Sequence, residues 1–565
     1  MTTQTSKYFD FSNIRGDVLG GLTAGVVALP LALAFGEASG AGPIAGLWGA
    51  IFVGFFAALF GGTGSQVSGP TGPMIVVFAG VFATLSGDPA LVFAAVVLAG
   101  LLQILMGVLR LGQYIKLVPY PVISGFMSGI GAIIIALQIS RLFGHEPLEP
   151  GTIPAMTAIP GAVASPVWPA LFVGLLSLGI VFFWPKNLGK YVPGALAALV
   201  LGTIASLFVG LPTDLTLGDI PTGLPQLTVP GIPADSDTLF IIFEAAVILA
   251  ILGAIDSLLT SLVADNMTGT RHKSNKELVG QGIGNSIAGL FGAIPGAGAT
   301  MRTVVNIRTG GSTRISGMVH SMVLIAAALP LAGLAAKIPH AVLAGILVKV
   351  GYDIIDWSYI RRAHKGPRWD LILMALVLLI TVFDDLIKAV LVGVVLAALA
   401  FVKQIADIQI AAASNIAPET DDPEEKELLK KADGKVMVFD FAGGPLSFGA
   451  AADLGHHVRD RVSDGAKAII LDFTRVPSID LSAARAVETI ACDAVKDKKL
   501  VYVTGMNAKI SEILAGLNAD QCLPTDTRFE HRKDALKDAI SRIVGNQAAE
   551  KGSSAAPDGT AAPAE

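Results

Sequence analysis

The chain has 565 residues, 53% hydrophobic and 15% charged, with a mean hydropathy of +0.65 and a formal net charge of −5. Soluble domains are nearer a quarter charged, so most of this chain does not face water. The small net charge argues against a nucleic-acid partner. The two cysteines, Cys492 and Cys522, point to a reducing compartment with no disulfide framework.

Residues 1–17 are polar, lack the apolar stretch of a signal peptide and read as a cytoplasmic N-terminus. From 18 to 403 apolar runs follow one another with short breaks. Nine of them approach or reach the ~20 residues that span a bilayer: 18–35, 42–60, 91–109, 122–142, 167–184, 192–210, 239–263, 315–336 and 384–402. Shorter runs at 71–85, 278–293, 299–307, 339–355 and 370–383 bring the expectation to about fourteen spans. Charge placement agrees. With the N-terminus inside, the loops expected in the cytoplasm hold Arg110 and Lys116, Lys186 and Lys190, Arg271, Lys273 and Lys276, Arg308 and Arg314, and Arg361, Arg362, Lys365 and Arg368. The opposite loops hold Arg141, Lys337 and Lys388, and the long loop 211–238 is acidic, with Asp214, Asp219, Asp235 and Asp237. That asymmetry is the positive-inside pattern.

Composition changes after Lys403. Residues 404–434 read as a charged linker. "KVMVFDF" (435–441), "KAIILDF" (467–473) and "KLVYVTG" (499–505) read as buried strands separated by helical patterns, an α/β cytosolic domain over 435–545. The Ala/Pro/Gly/Ser-rich tail 546–565 reads as disordered.

Two segments break the apolar pattern. "GPTGPMI" (69–75) and "PGAGATM" (295–301) place proline and glycine where apolar runs begin. In lipid every backbone polar group needs a partner, so such residues survive where backbone lines a cavity. Third and tenth in the count, they are seven spans apart, as two inverted seven-span halves require. They read as matching half-helix starts. Each offers unpaired N–H groups and about half a positive charge to a small anion. The alternative is that proline and glycine are simply common in membrane helices.

Asp256 is the other outlier, inside "AAVILAILGAIDSLLTSLV" (245–263). A carboxylate at mid-membrane costs about 2.5–3.5 kcal/mol, so its retention asks for a reason. Thr260 lies one turn on, on the same face. These hard oxygen ligands suit Na⁺ or, once protonated, H⁺. Arg302, just after the second half-helix start, offers a fixed positive charge near an anion. Alternatively it snorkels or pairs with Asp256. Glu244 and Glu37, near span ends, read as interfacial. The eight histidines form no metal or triad pattern, and an enzyme is not expected.

Three stretches in order resemble the SulP family of anion transporters over nearly the whole chain: "AGLWGAIFVGFFAALFGGTGSQVSGPTGPM" (45–74), "GAGATMRTVVNIRTGGSTRISGMVH" (296–320) and the STAS-like "LDFTRVPSIDLSAARAVE" (471–488). The resemblance implies an all-α polytopic membrane domain of two inverted repeats, divided into core and gate, followed by an α/β STAS domain. "AIDSLLTSLVADNMTGT" and "GAGATM" resemble the BicA-type sodium/bicarbonate branch. By that resemblance Asp256 and Thr260, with backbone around Gly298, Ala299 and Thr300, would hold Na⁺. Thr71 and Gly72, with the amides of Ala299 and Thr300, would hold bicarbonate. Leu31 after Pro30 fits that branch. Gln66 replaces the signature's basic residue, and Arg302 resembles the general anion exchangers instead.

The expected function is uptake of a small inorganic anion, bicarbonate first, by Na⁺ symport through an elevator-like cycle, with no cofactor beyond the coupling ion. The alternatives are a sulfate or dicarboxylate transporter coupled to H⁺ or exchanging, and an anion channel or STAS-signalling sensor. Expected partners are the lipid bilayer, a second copy of the chain, in part through STAS, and a cytosolic regulator. The expected place is the plasma (inner) membrane, with N-terminus and STAS domain in the cytoplasm. Ser482 stands where bacterial anti-sigma antagonists carry a phosphorylatable serine. Alternatively it caps the helix that begins there.

Overall fold

A computed structural model describes residues 10–553 apart from 86–87, 115–117, 147–150, 186, 191, 219–224, 226, 229, 232–234, 385, 414–421, 442–443, 448–457, 459–461, 463–464 and 517–521. Lys116, Lys186 and Asp219 thus lie outside the described residues, as does the tail from 554. The chain divides into two compact units, Met1–Ala397 and Ala398–Glu565.

The first unit is helical. Its elements are α1 (Ile14–Ala38), α2 (Pro43–Phe60), β1 (Ser68–Gly69), α3 (Gly72–Thr84), α4 (Pro89–Val108), α5 (Tyr120–Leu142), α6 (Thr152–Ala164), α7 (Trp168–Phe183) and α8 (Gly194–Phe208). There follow α9 (Ser236–Thr268), α10 (Ser274–Leu290), β2 (Ala297–Gly298), α11 (Thr300–Arg308), α12 (Arg314–Ala335), α13 (His340–Ile354), α14 (Trp357–Ala363), α15 (Arg368–Phe383) and α16 (Leu386–Ala413). Proline in the first turn starts α2, α4, α5 and α7, where its missing N–H has no helical partner to lose. Among the described residues, α1, α2, α4, α5, α9 and part of α16 are long and apolar enough to cross a bilayer. Leu105, Phe172, Phe183, Phe208, Phe240 and Leu399 are exposed on the outer faces, as lipid contact requires.

Two helices of this unit were not expected from the sequence. One is α6, which meets α7 at a bend of 114°; the other is the short α14. Pro160 had hidden α6, since proline in a helix interior removes a hydrogen bond.

The helices pack in two groups. One joins α1, α2, α4, α9, α10 and α12, with α3 and α11 held against α9. The other joins α5, α6, α7, α8, α13 and α15. Within the first, Gly21 and Gly25 lie one turn apart on α1. Cβ atoms there would come within 2.7 and 2.9 Å of the Cβ atoms of Val319 and Val323 on α12. Small residues at this spacing bring the two backbones together where lipid gives no hydrophobic drive to do so.

The second unit holds α17 (Pro423–Ala432), β3 (Val436–Asp440), β4 (Ala468–Asp472), α18 (Leu481–Lys496), β5 (Leu500–Thr504), α19 (Ala508–Gly516), β6 (Arg528–Phe529) and α20 (Arg532–Ser553). The sheet is parallel in the order β3-β4-β5-β6. Its three predicted strands stand where the apolar runs put them. Both faces are covered: Met437, Phe439, Ile469 and Leu471 pack toward α18 and α19, while Val438, Ile470 and Tyr502 pack toward α17 and α20. Burial on both faces is why these strands are continuously apolar.

Three expectations fail here. Cys492 and Cys522 form a disulfide, with Cα atoms 4.9 Å apart, because the fold brings α18 beside the segment before β6, a proximity that spacing alone hides. The cap of α18 is Asp480, whose carboxylate accepts from Ala483 N at 2.8 Å; Ser482 lies inside the helix and is exposed. The tail expected to lack structure from 546 begins as the last turns of α20, which runs to Ser553.

Candidate functional site

Each broken segment is a two-residue strand followed by a short helix. The strands pair antiparallel, Ser68 with Gly298 and Gly69 with Ala297. Antiparallel strands send their following helices away in opposite directions. Both helix N-termini, with Thr71 before α3 and Ala299 before α11, therefore stay at the ladder. Ladder and helix are stitched together: Ala299 N donates to Val67 O at 2.9 Å, and Val67 N to Thr303 Oγ1 at 3.0 Å. Gly69 has φ +148°, a left-handed backbone, and the space its missing Cβ leaves holds Arg302 Nη1.

Against this ladder lies one face of α9. Ser257 Oγ accepts from Gly298 N at 3.0 Å, and Thr260 Oγ1 donates to Gly298 O at 2.9 Å and lies 2.7 Å from Thr300 Oγ1. Asp256 is on the same face, 6% exposed, near Thr71 and Arg302. Among the described residues its Oδ2 and Arg302 Nη1 make no hydrogen bond, and the Thr71 hydroxyl lies beside the carboxyl without a well-aligned bond to it. Arg302 is buried and Nη2 donates to Pro70 O, which ties α11 to the residue before Thr71. No ion pair within 4 Å joins it to Asp256 among the described residues, so the pairing weighed from sequence is present only as a longer-range attraction between the two charges. A carboxylate oxygen and a guanidinium nitrogen thus stand open at one junction, with the Thr71 hydroxyl beside them. Buried polar atoms left open in this way ask for a ligand or water.

Of the sequence candidates, Asp256, Thr260, Gly298, Ala299, Thr300, Arg302, Thr71 and Gly72 meet at this junction. Gly72 also touches the second helix group: a Cβ there would lie 2.7 Å from the Cδ1 atoms of Ile134 on α5 and Ile354 on α13. Ser482 is in the other unit. Glu244 is exposed, as expected of an interfacial residue.

The sequence reading missed the polar frame behind the site. Glu277, Gln281 and Asn285 stand one turn apart on α10, all buried. Glu277 Oε2 accepts from Gly62 N at 2.7 Å and Thr63 N at 2.9 Å, and its Oε1 from Gln66 Nε2 and Gln281 Nε2, both at 2.9 Å. Gln281 reaches Ser68 Oγ at 2.6 Å, and Asn285 brackets Gly296, donating to its O at 2.9 Å and accepting from its N at 2.8 Å. Gln66, where the motif has a basic residue, is thus a neutral link between Glu277 and Ser261. The signal was available: a polar residue every fourth position in an apolar helix is a buried stripe.

Residues 14–377 match the model described as "Sulfate permease family", and residues 428–535 the STAS domain. A relative from a Synechocystis strain, "Bicarbonate transporter BicA", is 42% identical over 98% of this chain and 99% of its own. The solved transmembrane domain of a cyanobacterium bicarbonate transporter BicA is 50% identical, with a TM-score of 0.64 over 68% of this chain and 100% of that one. A murine Slc26a9 anion transporter structure in the inward-facing state has a TM-score of 0.79 at 18% identity, over 94% of this chain and 92% of that one, and shares the fold.

Proposed function

The chain belongs to the sulfate permease family of membrane transporters and carries its STAS domain, and from that premise we propose that it takes up bicarbonate by Na⁺ symport. The observation that carries this reading is the junction of two half-helix N-termini where, among the described residues, Asp256 Oδ2 and Arg302 Nη1 are buried without a hydrogen bond and the Thr71 hydroxyl lies beside the Asp256 carboxyl. The BicA relatives are named bicarbonate transporters, which supplies the anion.

The donor set fits both ions. Asp256, Thr260 and the Gly298 carbonyl are oxygen groups of the kind a hard cation takes. Thr71, the first amides of α3 and α11, and Arg302 favour a small oxyanion. An uncompensated carboxylate in lipid resists movement, and Na⁺ beside Asp256 neutralises it. With both ions bound, the α1–α4 and α9–α12 group moves as a core past the α5–α8 and α13–α15 gate, and Ile134 and Ile354 on the gate slide off Gly72. In this reading the N-terminus and STAS domain are cytoplasmic, the membrane is the plasma membrane, and STAS serves pairing of two copies or regulation.

Radiolabelled bicarbonate uptake into proteoliposomes under an inward Na⁺ gradient tests this, with an equal K⁺ gradient as control. Uptake driven by Na⁺ supports it; none, in active protein, overturns it. Arg302 favours a second reading, since its open Nη1 suits a divalent oxyanion such as sulfate or a dicarboxylate. Competition by sulfate or fumarate, with no effect of bicarbonate, would favour that reading.

A further inference from the structure

Glu37 closes the last turn of α1, Glu146 follows α5, and His340 opens α13. They are far apart in the sequence, yet one ligand atom from each lies within 4.8 Å of the others. His340 Nδ1 is 3.0 Å from Glu37 Oε1, and both side chains are largely buried, 17% and 19% exposed. The two groups face one another as a carboxylate–imidazole pair, which holds both ligand atoms toward one point. Two ligand atoms of a tetrahedral zinc, each about 2.0–2.1 Å from the metal, stand about 3.3 Å apart. The pair therefore sits near the spacing of two ligands aimed at one cation. Glu146 is the exposed member, 58% exposed, and its Oε1 lies 3.9 Å from Arg141 Nε. Arg141 is the local positive charge a cation must displace from it.

We propose that Glu37, Glu146 and His340 form a site for a divalent transition metal of the Zn²⁺ class. One imidazole with two carboxylates suits zinc and its neighbours, whereas Mg²⁺ and Ca²⁺ take oxygen. The fourth position is left to water. The site lies on the membrane face opposite the start of α1, since α1 and α5 end there and α13 begins there. Its ligands come from both helix groups: Glu37 from the α1 group, Glu146 and His340 from the α5 and α13 group. A metal held by all three ties the groups together. For the transport arm, which rests on the proposed function, it acts as a brake on the motion between them, applied from the external face.

Zinc binding to purified full-length protein is measured by competition with a chromophoric chelator, and bicarbonate uptake is then measured with Zn²⁺ added outside the vesicles. One equivalent is expected to bind, and Glu37→Gln and His340→Ala each to weaken it at least about tenfold, since even neighbours of ligands are worth 10–100-fold. Glu146→Gln, in an exposed turn, serves if either fails to fold. Uptake is expected to fall with Zn²⁺, recover with chelator and ignore Zn²⁺ in the variants. Absent binding, or binding unchanged in all three variants, overturns the site. Binding that leaves uptake unchanged overturns the brake. A protein that carries no bicarbonate counts against the function alone, and the chelator titration still decides the site.

Discussion

Two sites in this molecule, one in the STAS domain and one at the membrane junction, bury carboxylates and treat them oppositely. In the STAS domain Asp440 and Asp472 end neighbouring strands in register, a like-charge pair that is unfavourable alone. Arg532 closes it, with Nη1 3.4 Å from Asp440 Oδ2 and 3.3 Å from Asp472 Oδ2 while Nε bonds Glu425. Arg475 also bonds Asp440, and Thr504 Oγ1 donates to Asp472 Oδ1 at 2.9 Å. At the membrane junction Asp256, beside the Thr71 hydroxyl, keeps an oxygen with no hydrogen bond among the described residues. The saturated carboxylates hold a fold. The open one awaits something that comes and goes.

The sharpest way to break this contrast is Asp256→Asn. Na⁺-stimulated uptake should fall at least about 100-fold, the loss of roughly 3 kcal/mol of cation binding in lipid, with melting temperature unchanged or raised. Uptake that keeps its Na⁺ dependence in well-expressed protein would sink the role. Glu277→Ala makes the opposite case inside the membrane unit. It strands four donors and should cost about 3–5 kcal/mol, read as lost expression and early melting in detergent, while Glu277→Gln costs less.

Arg532→Ala should destabilise the STAS domain by a similar 3–5 kcal/mol. Hydrogen exchange in full-length protein should then speed up in β3 and β4 and not in α9; equal protection would show that the cluster is not what holds the sheet edge. Thr260→Val removes hydroxyl contacts worth about 1 kcal/mol and should raise the Na⁺ concentration for half-maximal uptake about fivefold. The smallest effect separates Asp480 from Ser482. Asp480→Ala should cost about 1 kcal/mol as a lost cap, and Ser482→Ala within about 0.5 kcal/mol, both by thermal unfolding of the STAS transition.

The broken segments were legible because proline and glycine at the start of an apolar run contradict a simple span. Asp256 was legible because a lone carboxylate in such a run is costly. Glu277 was not, because "SNKELVGQGIGNS" reads as an interrupted, weakly apolar stretch unless the four-residue spacing is counted. α6 hid behind Pro160. Asp440 and Asp472 looked like strand ends, and nothing local pointed to an arginine beyond β6.

The sequence by itself determined what local chemistry can carry: apolar runs long enough for lipid, three strands buried on both faces, two half-helix starts and one carboxylate out of place. Each follows from a residue's own cost in its own segment. Only the tertiary structure decided which groups meet. The β1–β2 ladder joins positions 68 and 298, and α9 lays Thr260 against Gly298. Arg302 reaches the carbonyl before Thr71 instead of Asp256, and His340 comes to Glu37. Such meetings depend on the packing of whole helices, and no spacing along the chain encodes them.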